Sequence, residues 1–152
     1  MAERYFGATN TLALAAWILL VLLPGRRLVA NVLCAAVVPG LLAATYAVVV
    51  GWKLVTSPPT GDLMTIAGLR TAFADDWVFA AAWTHYLAFD MVVGAWIARD
   101  AVRLAVPWPL RTLALMLTFM LGPAGFLLHL LTRLTIRRRV AVDDGVAATP
   151  PP

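Results

Sequence analysis

From Val29 to Trp52 the chain runs without a single charged side chain, and the next residue, Lys53, is the first to break the run. A helix that crosses a bilayer needs about 20 mainly apolar residues, because the hydrocarbon core is about 30 Å thick. Three more stretches have this character: about Phe6 to Leu23, Trp77 to Ile97, and about Leu110 to Thr132. Of the 152 residues 62% are hydrophobic and only 13% charged, where a soluble domain carries roughly 25% charge. The sequence therefore predicts an all-α fold, a four-helix transmembrane bundle formed by residues 1–139 as one domain. The polar, Pro-terminated residues 140–152 read as a disordered tail.

The connections differ. Pro24-Gly25-Arg26-Arg27 is a tight basic turn, and Arg99 to Pro109 is a short link marked by Pro107 and Pro109. The link from Lys53 to Asp76 is long and contains the breaker cluster Ser57-Pro58-Pro59-Thr60-Gly61-Asp62. After it, Leu63, Ile66, Ala67 and the Leu69-Arg70 to Phe73 stretch predict a short amphipathic helix on the membrane surface, either a lid or a spacer. The first apolar run is not read as a cleaved signal. Met1 to Arg4 balances one Arg against one Glu, and the run ends without an A-x-A-like site.

Cys34 stands alone, which excludes an internal disulfide framework and a Cys-type zinc site; it reads as a small buried residue. The basic residues flank apolar runs, as membrane anchors do, so no nucleic-acid partner is expected. Four spans would put both termini on the face of the long link. Arg4, Lys53, Arg70, Arg133, Arg137, Arg138 and Arg139 would then oppose Arg26, Arg27, Arg99, Arg103 and Arg111. That near-even split gives little direction, and only the cluster from Arg133 to Arg139 favours termini inside.

An ionisable side chain at the centre of a spanning helix costs at least about 2.5 kcal/mol for Asp, so each one suggests function. This chain places His85, Asp90 and His129 within its apolar runs. With four spans, His85 lies roughly 12 Å below the long-link face. His129, Asn10, Thr45 and Tyr46 would share that half of the bilayer. Thr118, Gly122, Gly125 and His129 form one stripe of the last helix, whose small residues admit a neighbouring backbone, with a kink expected at Pro123. Asp90 shares a stripe with Trp83, Tyr86, Gly94 and Ile97, and His85 lies about 140° round from it. The candidate catalytic residues are His85, Asp90 and His129; the candidate substrate-binding residues are Asn10, Trp83, Tyr86 and Gly125. Asp75, Asp76 and Asp100 stand at helix ends and read as solvated or capping, while Trp52, Trp77 and Trp108 fit an aromatic belt.

Three chemistries fit these residues. One is acid–base catalysis by His and a buried carboxyl. Another is haem b held between two His axial ligands. The third, a metal held by His85, His129 and Asp90, lacks any H-x-x-x-H or E-x-x-H spacing. No metal and no cofactor is predicted, and there is no Gly-rich nucleotide loop or nucleophile elbow.

The stretch Ala82-Trp83-Thr84-His85-Tyr86-Leu87-Ala88-Phe89-Asp90, with Asp100 ten residues on, and the stretch Gly122-Pro123-Ala124-Gly125-Phe126-Leu127-Leu128-His129 carry a resemblance. Together they resemble the neoxanthin synthase-like (abscisic acid-deficient type) family of integral membrane proteins. That pattern is A-W-x-H, a D five residues later, and P-x-G-x-x-x-H in the last helix; Trp83, His85, Asp90, Pro123, Gly125 and His129 match it. The resemblance covers roughly Tyr5 to Arg133 and implies a carotenoid or xanthophyll isomerase with no net redox change. In such a reaction an acid protonates the epoxide oxygen of violaxanthin and a base removes a proton from the polyene carbon beyond. Membrane lipid and an apolar polyene are the partners it implies. The Ala-, Leu-, Val- and Arg-rich composition points to a bacterial inner membrane. The rival readings are a bis-His haem protein and a non-catalytic module that binds carotenoid or a partner protein.

Overall fold

The computed structural model describes residues 1–58 and 60–138, so the expected tail at 140–152 lies outside the described residues, as does Arg139. Among the described residues every regular element is helical: α1 (Ala2–Leu22), α2 (Leu28–Thr56), α3 (Ile66–Ala72), α4 (Asp76–Arg103), α5 (Trp108–Leu121) and α6 (Pro123–Arg137). Helices α1, α2 and α4 are long and apolar enough to cross a membrane. The short helix expected after the breaker cluster is α3, its N-terminus capped by Thr65 Oγ1, which accepts from the Gly68 N–H.

The fourth expected span does not form. Gly122 divides residues 110–132 into α5 and α6, and the two fold back on each other. A Cβ placed on Gly125 would collide with the Thr118 amide and the Ala114 carbonyl. In a continuous helix those residues would lie about 10 and 16 Å away along the axis. Contacts with α4 trace the same path. Gly122 lies against Asp90, halfway along α4; Phe126 meets Trp96 with ring centroids 5.7 Å apart; His129 Nε2 reaches Asp100 at 2.8 Å. So α5 runs from the Arg103 end of α4 to its middle, and α6 returns to the end where α5 began. The four-helix bundle is corrected to three long helices and a helical hairpin.

The reversal has a local cause. Gly122 adopts φ +47° and ψ −96°, a region glycine enters without a Cβ penalty. Its N–H donates to the Thr118 carbonyl at 2.9 Å and closes α5. Pro123 has no N–H with which to continue that helix, but its fixed φ suits the first turn of α6. The expected kink is thus a full turn of the chain.

Small side chains set the packing. Ala13 and Ala16 of α1, Ala30 and Cys34 of α2, Ala88, Ala95 and Ala98 of α4, and Ala114 of α5 are all buried in one core. Lipid tails are as apolar as leucine, so close van der Waals contact between such residues, not escape from water, drives helices together in a bilayer. Trp17, only 2% exposed, fills the space left by Gly94, where any Cβ would overlap its ring. Cys34 Sγ donates to the Ala16 carbonyl at 3.5 Å, so it is the small buried residue expected.

Two further features orient the long helices. The first ten residues of α2, Leu28–Val37, are wound as a π-helix, and the Val38 N–H reaches back to the Leu33 carbonyl. Pro39 follows directly, and the donor it lacks interrupts the ordinary α-helical ladder there. At the opposite end of α2, Lys53 Nζ meets Asp75 Oδ2 at 2.6 Å and ties α2 to the start of α4. Asp75 also caps α4 by accepting from the Trp77 and Val78 N–H groups, as its position at a helix end suggested.

Candidate functional site

The residues proposed from sequence separate into three places. Trp83, Tyr86 and Asp90 share one side of α4, and Asn10 of α1 meets it. The Trp83 Nε1–H donates to Asn10 Oδ1 at 3.0 Å, bridging α4 to α1. Phe6 lies 5.9 Å and Tyr86 5.3 Å from the Trp83 ring. Asp90 is one turn beyond Tyr86, close enough for the phenol and carboxyl to interact. Both carboxyl oxygens would stand 3.1 Å from a Cβ on Gly122, so the bare backbone of the hairpin tip admits the carboxyl. Asp90 Oδ2 is buried and has no hydrogen-bond partner among the described residues.

The hairpin's ring and polar contacts with α4 begin at Asp90 and run toward Arg103. Trp83 and Tyr86 therefore look out above the hairpin tip, beside α1. Trp83 is 37% exposed, and Met120 and Leu121 at the tip are largely exposed. A long apolar molecule lying against this face would meet an aromatic wall and the amide of Asn10, with the buried Asp90 carboxyl one turn beyond Tyr86.

His85 is on another side of α4. It is exposed, and its ring neighbours are Phe89 at 4.7 Å and Tyr46 of α2 at 5.6 Å. Tyr46 also lines an apolar groove of about 270 Å³ between α2 and α4, to whose lining Leu69, Ala72 and Phe73 contribute from α3 and the residue after it.

His129 lies far from both. It is 1% exposed at the opposite end of the molecule, and the expectation that it shares a half-bilayer with His85 and Asn10 is corrected by the hairpin. Fifteen residues of α4 separate His85 from Asp100, the partner of His129, which is about 22 Å along the axis. One haem cannot take both as axial ligands, nor can one metal ion bind His85, Asp90 and His129. Gly125 is likewise inside the hairpin seam, not facing a ligand.

Around His129 is a cluster that sequence reading missed. Asp100, 3% exposed and not solvated as expected, accepts from His129 Nε2 at 2.8 Å, from Arg103 Nη2 at 2.6 Å and from Arg133 Nη1. A carboxylate offers only acceptors, so His129 carries its proton on Nε2. Trp96 stacks edge-on against His129 at 5.2 Å, and the Arg133 guanidinium sits 5.5 Å over the same indole. The arrangement pins α6 to α4 through a buried charge. The signal was present in the ten-residue step from Asp90 to Asp100 and the i, i+4 pair His129 and Arg133. It was legible only once α6 was known to turn back.

No curated protein and no solved structure matches the chain. A family match does cover it, over residues 4–129, which takes in the Asp90 face, the hairpin and His129. The chain belongs to the family described as ABA DEFICIENT 4-like, membrane proteins related to neoxanthin synthase.

Proposed function

We propose that this protein, seated in a bacterial inner membrane, isomerises a carotenoid by acid–base chemistry on the face formed by Asn10, Trp83, Tyr86 and Asp90. The observation that carries the reading is the carboxyl of Asp90, halfway along a helix long enough to cross the membrane, with a buried oxygen that no other group satisfies. An acid left with an unsatisfied oxygen in that position is expensive to keep, and function is the usual reason for keeping one. For an epoxide substrate, a protonated acid gives its proton to the ring oxygen as the C–O bond opens. A base takes a proton from the carbon beyond, whose electron pair forms the new double bond. Asp90 can serve as both in turn: its carboxyl gives the proton to the ring oxygen, and the carboxylate left behind takes the proton released from carbon, while the Tyr86 phenol donates a hydrogen bond to it. No electron is gained or lost overall, so no redox partner is needed. His129 serves in this reading to hold the hairpin whose tip closes on Asp90.

The test is a pigment profile from a host that accumulates zeaxanthin and violaxanthin, with the chain, its Asp90→Asn, Tyr86→Phe and His85→Ala variants, and an empty vector. The reading expects a new isomer with the unaltered chain, lost in Asp90→Asn and retained in His85→Ala. Loss in His85→Ala alone would move the chemistry to the groove beside Tyr46. Pigment that co-purifies unchanged would leave a binding module in place of an enzyme.

A further inference from the structure

We propose that the α5–α6 hairpin is re-entrant: it enters the membrane from the cytoplasmic side, stops near the middle and returns, leaving the N-terminus and the link at 57–75 on the opposite side. Each arm is about 14 residues, or about 21 Å of helix, against a hydrocarbon core about 30 Å thick. Neither arm spans alone, and together they do not span because both ends emerge beside Arg103. Non-helical backbone within a membrane is tolerated where protein covers it, and the Gly122 turn is covered by Asp90 and α4.

The side follows from charge. With α6 returning, one face of the molecule carries Arg4, Lys53 and Arg70. The other carries Arg26 and Arg27 in the α1–α2 turn, Arg99, Arg103 and Arg111 around the α4–α5 link, and Arg133, Arg137 and Arg138 at the end of α6, with Arg139 next in sequence. Of the 11 basic residues among those described, three are thus on one face and eight on the other. Contacts across the molecule fix the grouping: Arg99 Nη1 donates to the Ala30 carbonyl at 2.8 Å at one end, while Lys53 meets Asp75, and Tyr5 meets Trp77, at the other. Short connections rich in Arg stay on the cytoplasmic side. A four-span topology removes this asymmetry; the hairpin restores it. The open face at Asn10, Trp83 and Tyr86 then belongs to the outer half of the bilayer, whether or not chemistry occurs there.

The test uses the full chain in bacterial membranes. Cys34 is fully buried, so it supplies a background that a membrane-impermeant maleimide does not label. Single cysteines are added at Ser57→Cys in the long link, Gly25→Cys in the α1–α2 turn, where nothing lies within 4 Å of the new Cβ, and Arg138→Cys after α6. In intact spheroplasts only Ser57→Cys is expected to react; in inverted vesicles only Gly25→Cys and Arg138→Cys. Labelling of Ser57→Cys and Arg138→Cys from one side would overturn the hairpin. Labelling of Arg138→Cys and Gly25→Cys only from outside, or of every site from both sides, would overturn the orientation.

Discussion

Replacing Asp100 by Asn keeps the size of the side chain and removes its charge, which tests whether the buried cluster fastens the hairpin. Asp100 is 3% exposed and receives three donors. Arg133 is fully buried, whereas the Arg103 side chain is 31% exposed, so its share is near that of a surface pair, about 0–1 kcal/mol. Breaking a buried ion pair by removing one partner costs about 3–5 kcal/mol. The expected loss for Asp100→Asn is therefore about 3–5 kcal/mol, or about two to four orders of magnitude in the folded-to-unfolded ratio. Thermal or SDS-induced unfolding in mild detergent, followed by tryptophan fluorescence, reads this loss, and Trp96 reports directly on the site. Replacing both partners tests the cause: Asp100→Leu with Arg133→Met removes two charges and is expected to recover much of the loss. An Asp100→Asn variant within about 0.5 kcal/mol of the parent would refute the reasoning, because that is the range of substitutions that touch nothing.

Gly125→Ala is expected to destabilise by about 1–3 kcal/mol, since its Cβ meets the Thr118 and Ala114 backbone, while Gly40→Ala, with open space around it, loses nothing. Unfolding temperatures of the two variants, measured side by side, decide this. Gly122→Ala is expected to cost about 1–3 kcal/mol from its positive φ alone and to displace Asp90; unchanged stability would deny the turn its role. The hydrogen bond from Lys53 holds the Asp75 carboxyl below the usual carboxylate range, so its contribution is present above the ordinary carboxylate pKa and lost as pH falls through the lowered one. The stability difference between the parent and Asp75→Asn, which keeps the cap, should stay level from neutral pH down to about 4 and then close. A gap that widens in acid would contradict the pairing.

The apolar runs were readable because hydropathy depends only on composition over a window, and α1, α2 and α4 lie where the runs lie. Hydropathy is blind to direction, however. Residues 110–132 have the length of a span, and nothing in a window average separates one helix of that length from two halves folded together. Gly122-Pro123 was the available signal, and reading it as a kink instead of a stop misplaced every residue after it. His129 moved from one end of the molecule to the other, and Asp100 from solvent to a buried hub. The α4 stripe of Trp83, Tyr86 and Asp90 survived because it depends on the period of one unbroken helix, which sequence gives directly. Its link to Asn10 followed from adjacency of α1 and α4, whereas the separate setting of His85 depended on where α2 packs.

The hairpin also explains how a carboxyl can be held halfway along α4. A continuous fourth helix would present side chains at that level, and the Asp90 oxygens stand too close to the Gly122 Cα for even a methyl group to fit comfortably. By ending one helix and starting another there, the chain offers a bare turn. It also brings the N-terminal end of α6, whose first N–H groups have no partners within the helix and whose dipole favours negative charge. The same break stops the hairpin from covering Trp83 and Tyr86, so the buried acid lies at the foot of an uncovered aromatic face. A full span would shield the carboxyl from anything in the lipid, and a shorter hairpin would leave it without protein around it. The position of Gly122, opposite Asp90, meets both demands, which is why the turn and the acid are better understood as one site than as two features.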